Sequence, residues 1–319
     1  MKLLRFLPLL LLVSLLTASC GDDENDYYLG GKKPDTPASG SDQSTNKNKN
    51  TGNIILSRLE FPKAKGGLSE VIVHSTTSYG VNYAIEWDHS LRAQRWTAYA
   101  FYKTNSVTHW SRGNWEGTEW GGDPFQLDPM VPYSEQPPVR GEFSSSYYPG
   151  GSSDDYFNRG HICASQDRMC SKEVNEQTFY MTNMMPQVYS FNSGIWEKME
   201  KQVRNWNTNS FRDTLFVVKG GTIDREEQIL TRTRNKFIVP RYFFMALLCK
   251  KGTTYKALGF WVEHLNTNRS GDPLSTYVVN IDELEQKTGI DFFCNLPDAT
   301  EEIVESQTVE NIKAFWGLK

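Results

Sequence analysis

Apolar residues along the chain gather into short runs separated by polar turns rather than into long periodic stretches. Five runs, VIVHS (71–75), RWTAYAFYK (95–103), TLFVVKG (214–220), YFFMALLCK (242–250) and ALGFWVEHL (257–265), are β-branched or aromatic and bounded by Gly, Asn or Asp. They predict strands. Helical spacing is rarer. After Asn192 the residues Trp196, Met199, Val203 and Trp206 recur every three or four positions, predicting a helix with one face on a core. A second helix is predicted at IDELEQKTG, with Asp282 near its start and Gly289 near its end. Strands and helices in mixed order, without regular β-α alternation, predict an α+β domain around a mixed, mainly antiparallel sheet.

The N-terminal region breaks this pattern twice. Lys2 and Arg5 precede a largely apolar run from Phe6 to Leu16, the length of a secretory core and too short to span a bilayer. Thr17, Ala18 and Ser19 then lead to Cys20. This resembles a bacterial lipoprotein signal, in which cleavage before the cysteine is followed by acylation of its thiol, although Thr17 stands where the pattern usually has Leu. The resemblance implies a signal peptide at 1–19 and lipidation at Cys20, hence a cell-envelope protein on a lipid anchor in the outer membrane. The acidic run Asp22, Asp23, Glu24 and Asp26 looks like an export tag for surface exposure; a solvated leader is the plain alternative, as ordinary secretion is to the anchor. From Cys20 to Asn53 the chain is rich in Gly, Ser, Pro, Asn and Lys and reads as a disordered tether. The folded body is expected over 54–319 as one domain, with no internal repeat.

Composition narrows the function classes. Apolar residues at 38% and aromatics at 13% exclude wholesale disorder. A net charge of −4, or −6 once Lys2 and Arg5 are removed with the signal, excludes the simplest nucleic-acid binder, a strongly basic domain. Phosphate binding would therefore rest on local clusters and a metal.

Of five histidines, His161 stands apart: it follows Asn158, Arg159 and Gly160 and precedes TFYMTNMMPQ (178–187) and FNSGIWEKMEKQVR (191–204). With echoes at RWTAYAFYK, SRGNW (111–115), Asp123-Pro124 and IDELEQKTGIDFFCNLPD, the chain resembles the sugar-nonspecific DNA/RNA endonucleases, a family with a ββα-metal (His-Me finger) site. The resemblance implies His161 as general base, Asn192 as metal ligand, Asn183 in an orienting role and products with 5′-phosphate ends. The spacing is consistent with those roles. Asn192 and Glu200, if both are α-helical, lie roughly 12 Å apart along the axis, which leaves Asn192 as direct ligand and Glu200 acting through water on the ion. Such a site suits Mg²⁺, with Mn²⁺ as a substitute. Arg112, Arg159 and Arg204 offer guanidinium forks to phosphate oxygens.

Each residue also has a plainer role open to it. Asn192 could be an N-cap, Glu200 and Arg204 an exposed i,i+4 ion pair, and the arginines surface charges. The run Arg232, Arg234, Lys236 and Arg241 either tracks a nucleic-acid backbone or is a solvated loop. Asn158 stands where the family normally has Asp, and Cys163-Ala164 replace its usual Ala-Pro, so a rival reading is a catalytically impaired surface lipoprotein that binds nucleic acid or glycan on the same scaffold. Cys163, Cys170, Cys249 and Cys294 allow three complete disulfide pairings, or none. No zinc spacing is present, and Cys163 lacks the oxyanion donors of a cysteine hydrolase. Protein partners are left open.

Overall fold

The computed structural model describes residues 45–319, so the signal segment, Cys20 and the tether as far as residue 44 lie outside the described residues. The strands are Ser69–Thr76 (β1), Gly80–Asp88 (β2), Ala93–Tyr102 (β3), Phe157–His161 (β4), Met184–Val188 (β5), Thr214–Gly221 (β6), Ile229–Arg232 (β7), Ile238–Pro240 (β8), Tyr242–Lys251 (β9), Thr254–Glu263 (β10) and Val278–Val279 (β11). The α-helices are Lys172–Gln177 (α1), Glu197–Trp206 (α2), Ile281–Thr288 (α3), Asp298–Glu305 (α4) and Val309–Trp316 (α5). Seven strands form one sheet in the order β1-β2-β3-β6-β9-β10-β11, and every neighbouring pair is antiparallel. The fold is α+β, and all five expected strands lie in this sheet. β2 was not expected, because buried polar residues interrupt its apolar run: Asn82 donates to the Val174 carbonyl and Glu86 accepts from Arg95 at 2.6 Å.

Alternation along the strands gives the sheet two apolar faces. One face, with Tyr99, Phe101, Leu215, Val217, Phe243 and Met245, is covered by Met199 and Val203 of α2 and by the ribbon β4-β5. The other, with Trp96, Ala98, Phe216, Val218, Phe244 and Ala246, is covered by Ile281 and Leu284 of α3 and Val304 of α4. β7 and β8 form a separate two-stranded hairpin.

The helix expected after Asn192 has its apolar stripe buried as read, with Trp196, Met199, Val203 and Trp206 all inside. It does not begin at Asn192, however. Phe191–Trp196 is a π-helical turn broken at Gly194 (φ −102°, ψ −109°), and regular α-helix starts at Glu197. Straight-helix spacing between Asn192 and Glu200 therefore does not apply, and Asn192 is not an N-cap. α3 follows expectation: Asn280 caps its start through Glu283 N, and Gly289 closes it in the left-handed region (φ 68°).

The folded chain also begins before Ile54. Composition put residues 45–53 in the tether, but Asn46 donates to Cys294 O at 2.9 Å, and Asn50 Nδ2 donates to Pro62 O at 3.0 Å while its backbone N–H bonds Asn295 Oδ1 at 3.1 Å. Side-chain amides here replace the apolar burial that composition looks for.

Candidate active site

β4 and β5 pair in strict register, Gly160 opposite Met185 and His161 opposite Met184. Gly160 lets Gln187 pack directly against the strand: a Cβ there would lie 2.4 Å from Gln187 Cδ and Oε1, so one of the two would have to shift. The chain after His161 is clamped by Asn183, which is fully buried in the turn before β5. Its Oδ1 accepts from Cys163 N at 2.8 Å, and its Nδ2 donates to Cys163 O at 2.9 Å and to Thr178 O at 2.7 Å. From the other side, Trp196 Nε1 donates to the His161 carbonyl at 3.3 Å, tying the π-helical turn that carries Asn192 to the histidine strand.

The His161 ring packs edge-on against Phe179, with centroids 5.0 Å apart, and tilted against Phe125 at 5.4 Å. Its Nε2 is buried and has no hydrogen-bond partner. The other four histidines are all engaged: His74 with Asp128, His89 with Glu135, His109 with Cys170 O, and His264 with Val188 N and Pro240 O. Burial, with Arg112 and Arg159 nearby, lowers the His161 pKa from 6.5 to about 3. The imidazole is thus neutral at physiological pH, but far less basic than the ordinary value suggests.

Arg112 opens a 3₁₀ segment, Arg112–Gly117, and its guanidinium lies 5.3 Å from the Phe179 ring and 5.6 Å from Phe125. No carboxylate comes within ion-pair distance of it among the described residues, and burial lowers its pKa. Arg159 sits 3.6 Å over Phe125 and pairs with Asp123 at 3.0 Å. Asp123 thus orients the arginine next to Asn158, a task left open by the missing carboxylate at 158. Asn158 itself reaches only Gln187 O, at 3.5 Å. It lines, with Arg159, Arg140 and Asp123, a cleft of about 390 Å³.

Asn192 is half-buried, and its side chain makes no hydrogen bond to protein among the described residues. Its carboxamide oxygen is a hard donor free to ligate a cation, a single protein oxygen of the kind that suits a divalent ion keeping most of its waters.

Glu200 and Arg204 do not form the exposed i,i+4 pair that was the plainer role open to them. Lys219, fully buried on β6, bonds Glu200 at 3.2 Å and Asp167 at 3.3 Å, while Arg204 pairs with Asp167 at 2.9 Å. Tyr99 OH adds a 2.5 Å hydrogen bond to Asp167. Burial opposes charge on Asp167, yet Lys219 and Arg204 hold its pKa below the ordinary carboxylate range. Glu200 is instead raised, chiefly by burial. Arg204 thus gives one nitrogen of its fork to Asp167 and takes part in this charge balance.

The sequence from residue 70 to 299 matches the family described as DNA/RNA non-specific endonuclease. The chain belongs to this family. It is a nuclease, a hydrolase of phosphodiester bonds in nucleic acids, and the family is metal-dependent. It is 27% identical to a nuclease of Nostoc sp. over 70% of this chain and 76% of that protein. It is 25% identical to nuclease C1 of Cunninghamella echinulata over 69% and 83%, and 24% identical to mouse mitochondrial nuclease EXOG over 81% and 65%. Its fold matches the EndoG chain in a crystal structure of an EndoG/EndoGI complex, with a TM-score of 0.55 at 18% identity, covering 72% of this chain and 87% of that one.

Other parts of the nuclease bear on the expected residues. In the β7-β8 hairpin, Arg232 is bonded twice to Glu226, at 2.7 Å each, so its charge is cancelled where a backbone-tracking run was expected. Arg234 and Lys236 are exposed without ion-pair partners among the described residues. All four cysteines in the described chain are buried and free. Burial pushes the Cys163 thiol up to about 12, which makes it inert as a nucleophile at neutral pH. Asp167 and Lys219 were not singled out from sequence, and Asp123 was read only as part of the Asp123-Pro124 echo, without a role. Lys219 carried a usable signal, as the one charged residue inside the apolar run TLFVVKG.

Proposed function

We propose that this nuclease cleaves both DNA and RNA with little sequence preference and leaves 5′-phosphate ends, with His161 as general base and Asn192 holding Mg²⁺ or, in its place, Mn²⁺. The observation that carries the reading is the buried, partnerless Nε2 of His161, set between two aromatic rings on which Arg112 and Arg159 also lie. A neutral imidazole with a free nitrogen can accept the proton of an attacking water. Arg112, having no carboxylate partner, binds a phosphate oxygen; Arg159, steadied by Asp123, binds a second. A phosphodiester held there sets its single negative charge against the positive charges that depress His161, so basicity rises as the substrate arrives. Asn183 positions the chain after the base without touching substrate. Glu200, Lys219, Asp167 and Arg204 keep a fixed polar wall beside it. Bound at Asn192, the divalent ion supplies Lewis-acid stabilisation of charge on the phosphoryl and leaving oxygens.

The test is plasmid nicking and RNA digestion by the full chain. Cleavage stops with EDTA and returns with Mg²⁺, His161→Ala lowers the rate by about 10²–10⁴-fold, and the product ends are ligated without prior kinase treatment. Cleavage that survives EDTA, or ends bearing 3′-phosphate, would overturn the mechanism.

A further inference from the structure

On the sheet face away from His161, α3 and α4 bring Asp282, Glu285 and Glu305 together with one carboxylate oxygen from each within 4.8 Å of the others. Glu301 and Asp291 adjoin them, joined through Asn48, whose Nδ2 donates to Glu301 at 2.8 Å and to Asp291 at 3.3 Å. Among the described residues, no lysine or arginine nitrogen lies within 4 Å of any of these five carboxylates. Lys63, whose charge acts on Asp291, gives its ammonium hydrogen bonds to the carbonyls of Asn48 and Lys49.

Glu305 makes this more than an acidic patch. It is only 7% exposed, and its Oε1 is buried with no hydrogen-bond partner, in a group whose neighbours are carboxylates. It is also the last residue of α4, whose final turn contains no basic residue, so the negative end of the helix dipole opposes it as well. Glu285 has one oxygen tied by Phe292 N at 2.7 Å. Asp282 accepts no hydrogen bond from the protein among the described residues. Burial, then the neighbouring acidic groups, push Glu301, Glu285 and Glu305 up to about 7, 8 and 10. An isolated fold would have to protonate such a group or bind a cation.

We propose that Asp282, Glu285 and Glu305 form a second divalent-cation site, structural rather than catalytic, selective for Ca²⁺ and bracing α3 against α4. The oxygen spacing fits inside the Ca²⁺ sphere, where opposite ligands at 2.3–2.6 Å stand about 5 Å apart. Three carboxylates with more beside them suit Ca²⁺, which takes many protein oxygens, over Mg²⁺, which keeps its waters. The site uses no residue of the nuclease centre.

The test is Ca²⁺ titration of the EDTA-treated full chain, read by calorimetry and by melting temperature. Ca²⁺ at 1 mM is expected to raise the melting temperature by several degrees in the wild type and in Asn192→Ala, and not in Glu305→Gln. Should Glu305→Gln fail to fold, the half-exposed Asp282→Asn carries the same expectation. Absence of any Ca²⁺ shift in the wild type would overturn the proposal, and so would a shift lost in Asn192→Ala but kept in Glu305→Gln or Asp282→Asn.

Discussion

The two faces of the central sheet each hold a cluster of carboxylates with at least one member buried, and they treat them in opposite ways. Beside His161, Asp167 and Glu200 are matched by Lys219 and Arg204 and closed by the Tyr99 hydroxyl. Beneath α3 and α4, Asp282, Glu285 and Glu305 face one another without a cation. Removing charge from water costs several kcal/mol per ion, and only good partners offset that cost. The first cluster is therefore built to hold its shape before substrate arrives. The second is incomplete until something positive joins it.

The comparison breaks most sharply at Lys219. Lys219→Met would leave Asp167 and Glu200 buried with Arg204 alone, and urea denaturation should show a loss of about 3–5 kcal/mol. A loss under about 1 kcal/mol would mean that the pair is solvated or shares a proton.

Next in size is the response to pH in EDTA, where the two faces should pull in opposite directions. Buried His264 is lowered from 6.5 to about 4, so it is neutral in the fold while the unfolded chain takes up a proton. Stability on that account falls as pH drops from 6.5 towards 4. Glu301, Glu285 and Glu305, hemmed in by Asp291 and Asp282, have folded values raised to about 7, 8 and 10. Their contribution is complete below the ordinary carboxylate range and is lost as pH rises through those values. Melting temperature against pH should therefore show a maximum, with an alkaline decline that Ca²⁺ removes. A flat alkaline limb in EDTA would contradict the second half.

The smallest effect sharpens the same point. In EDTA at pH 9, Glu305→Gln should melt above the wild type by at least the roughly 2–4 °C that about 1 kcal/mol gives in a domain of about 150–250 residues. At pH 4, where the wild-type carboxyl is protonated in both states, the two should melt together.

Strands with unbroken apolar runs, such as those around Val217 and Leu247, were legible because both of their faces are buried in this sheet. β2 was not, because Asn82 and Glu86 are polar residues satisfied by distant partners, a pairing that no local pattern records. The motif around His161 was legible through its neighbours in sequence. Its depressed basicity was not, since that depends on rings and guanidiniums arriving from Phe125, Phe179 and Arg112. Arg232 looked available because Glu226, six residues earlier, meets it only when the hairpin closes. Asp167 reads as a loop acid until Lys219 is folded beneath it. The acidic cluster needs two helices packed side by side, so periodicity within either one is silent about it.

Gly160 lets the Gln187 side chain lie flat on the backbone one residue from the reactive imidazole. A single methyl at that position would act as a wedge against Gln187, so that either the buried amide or the strand beneath it has to give way.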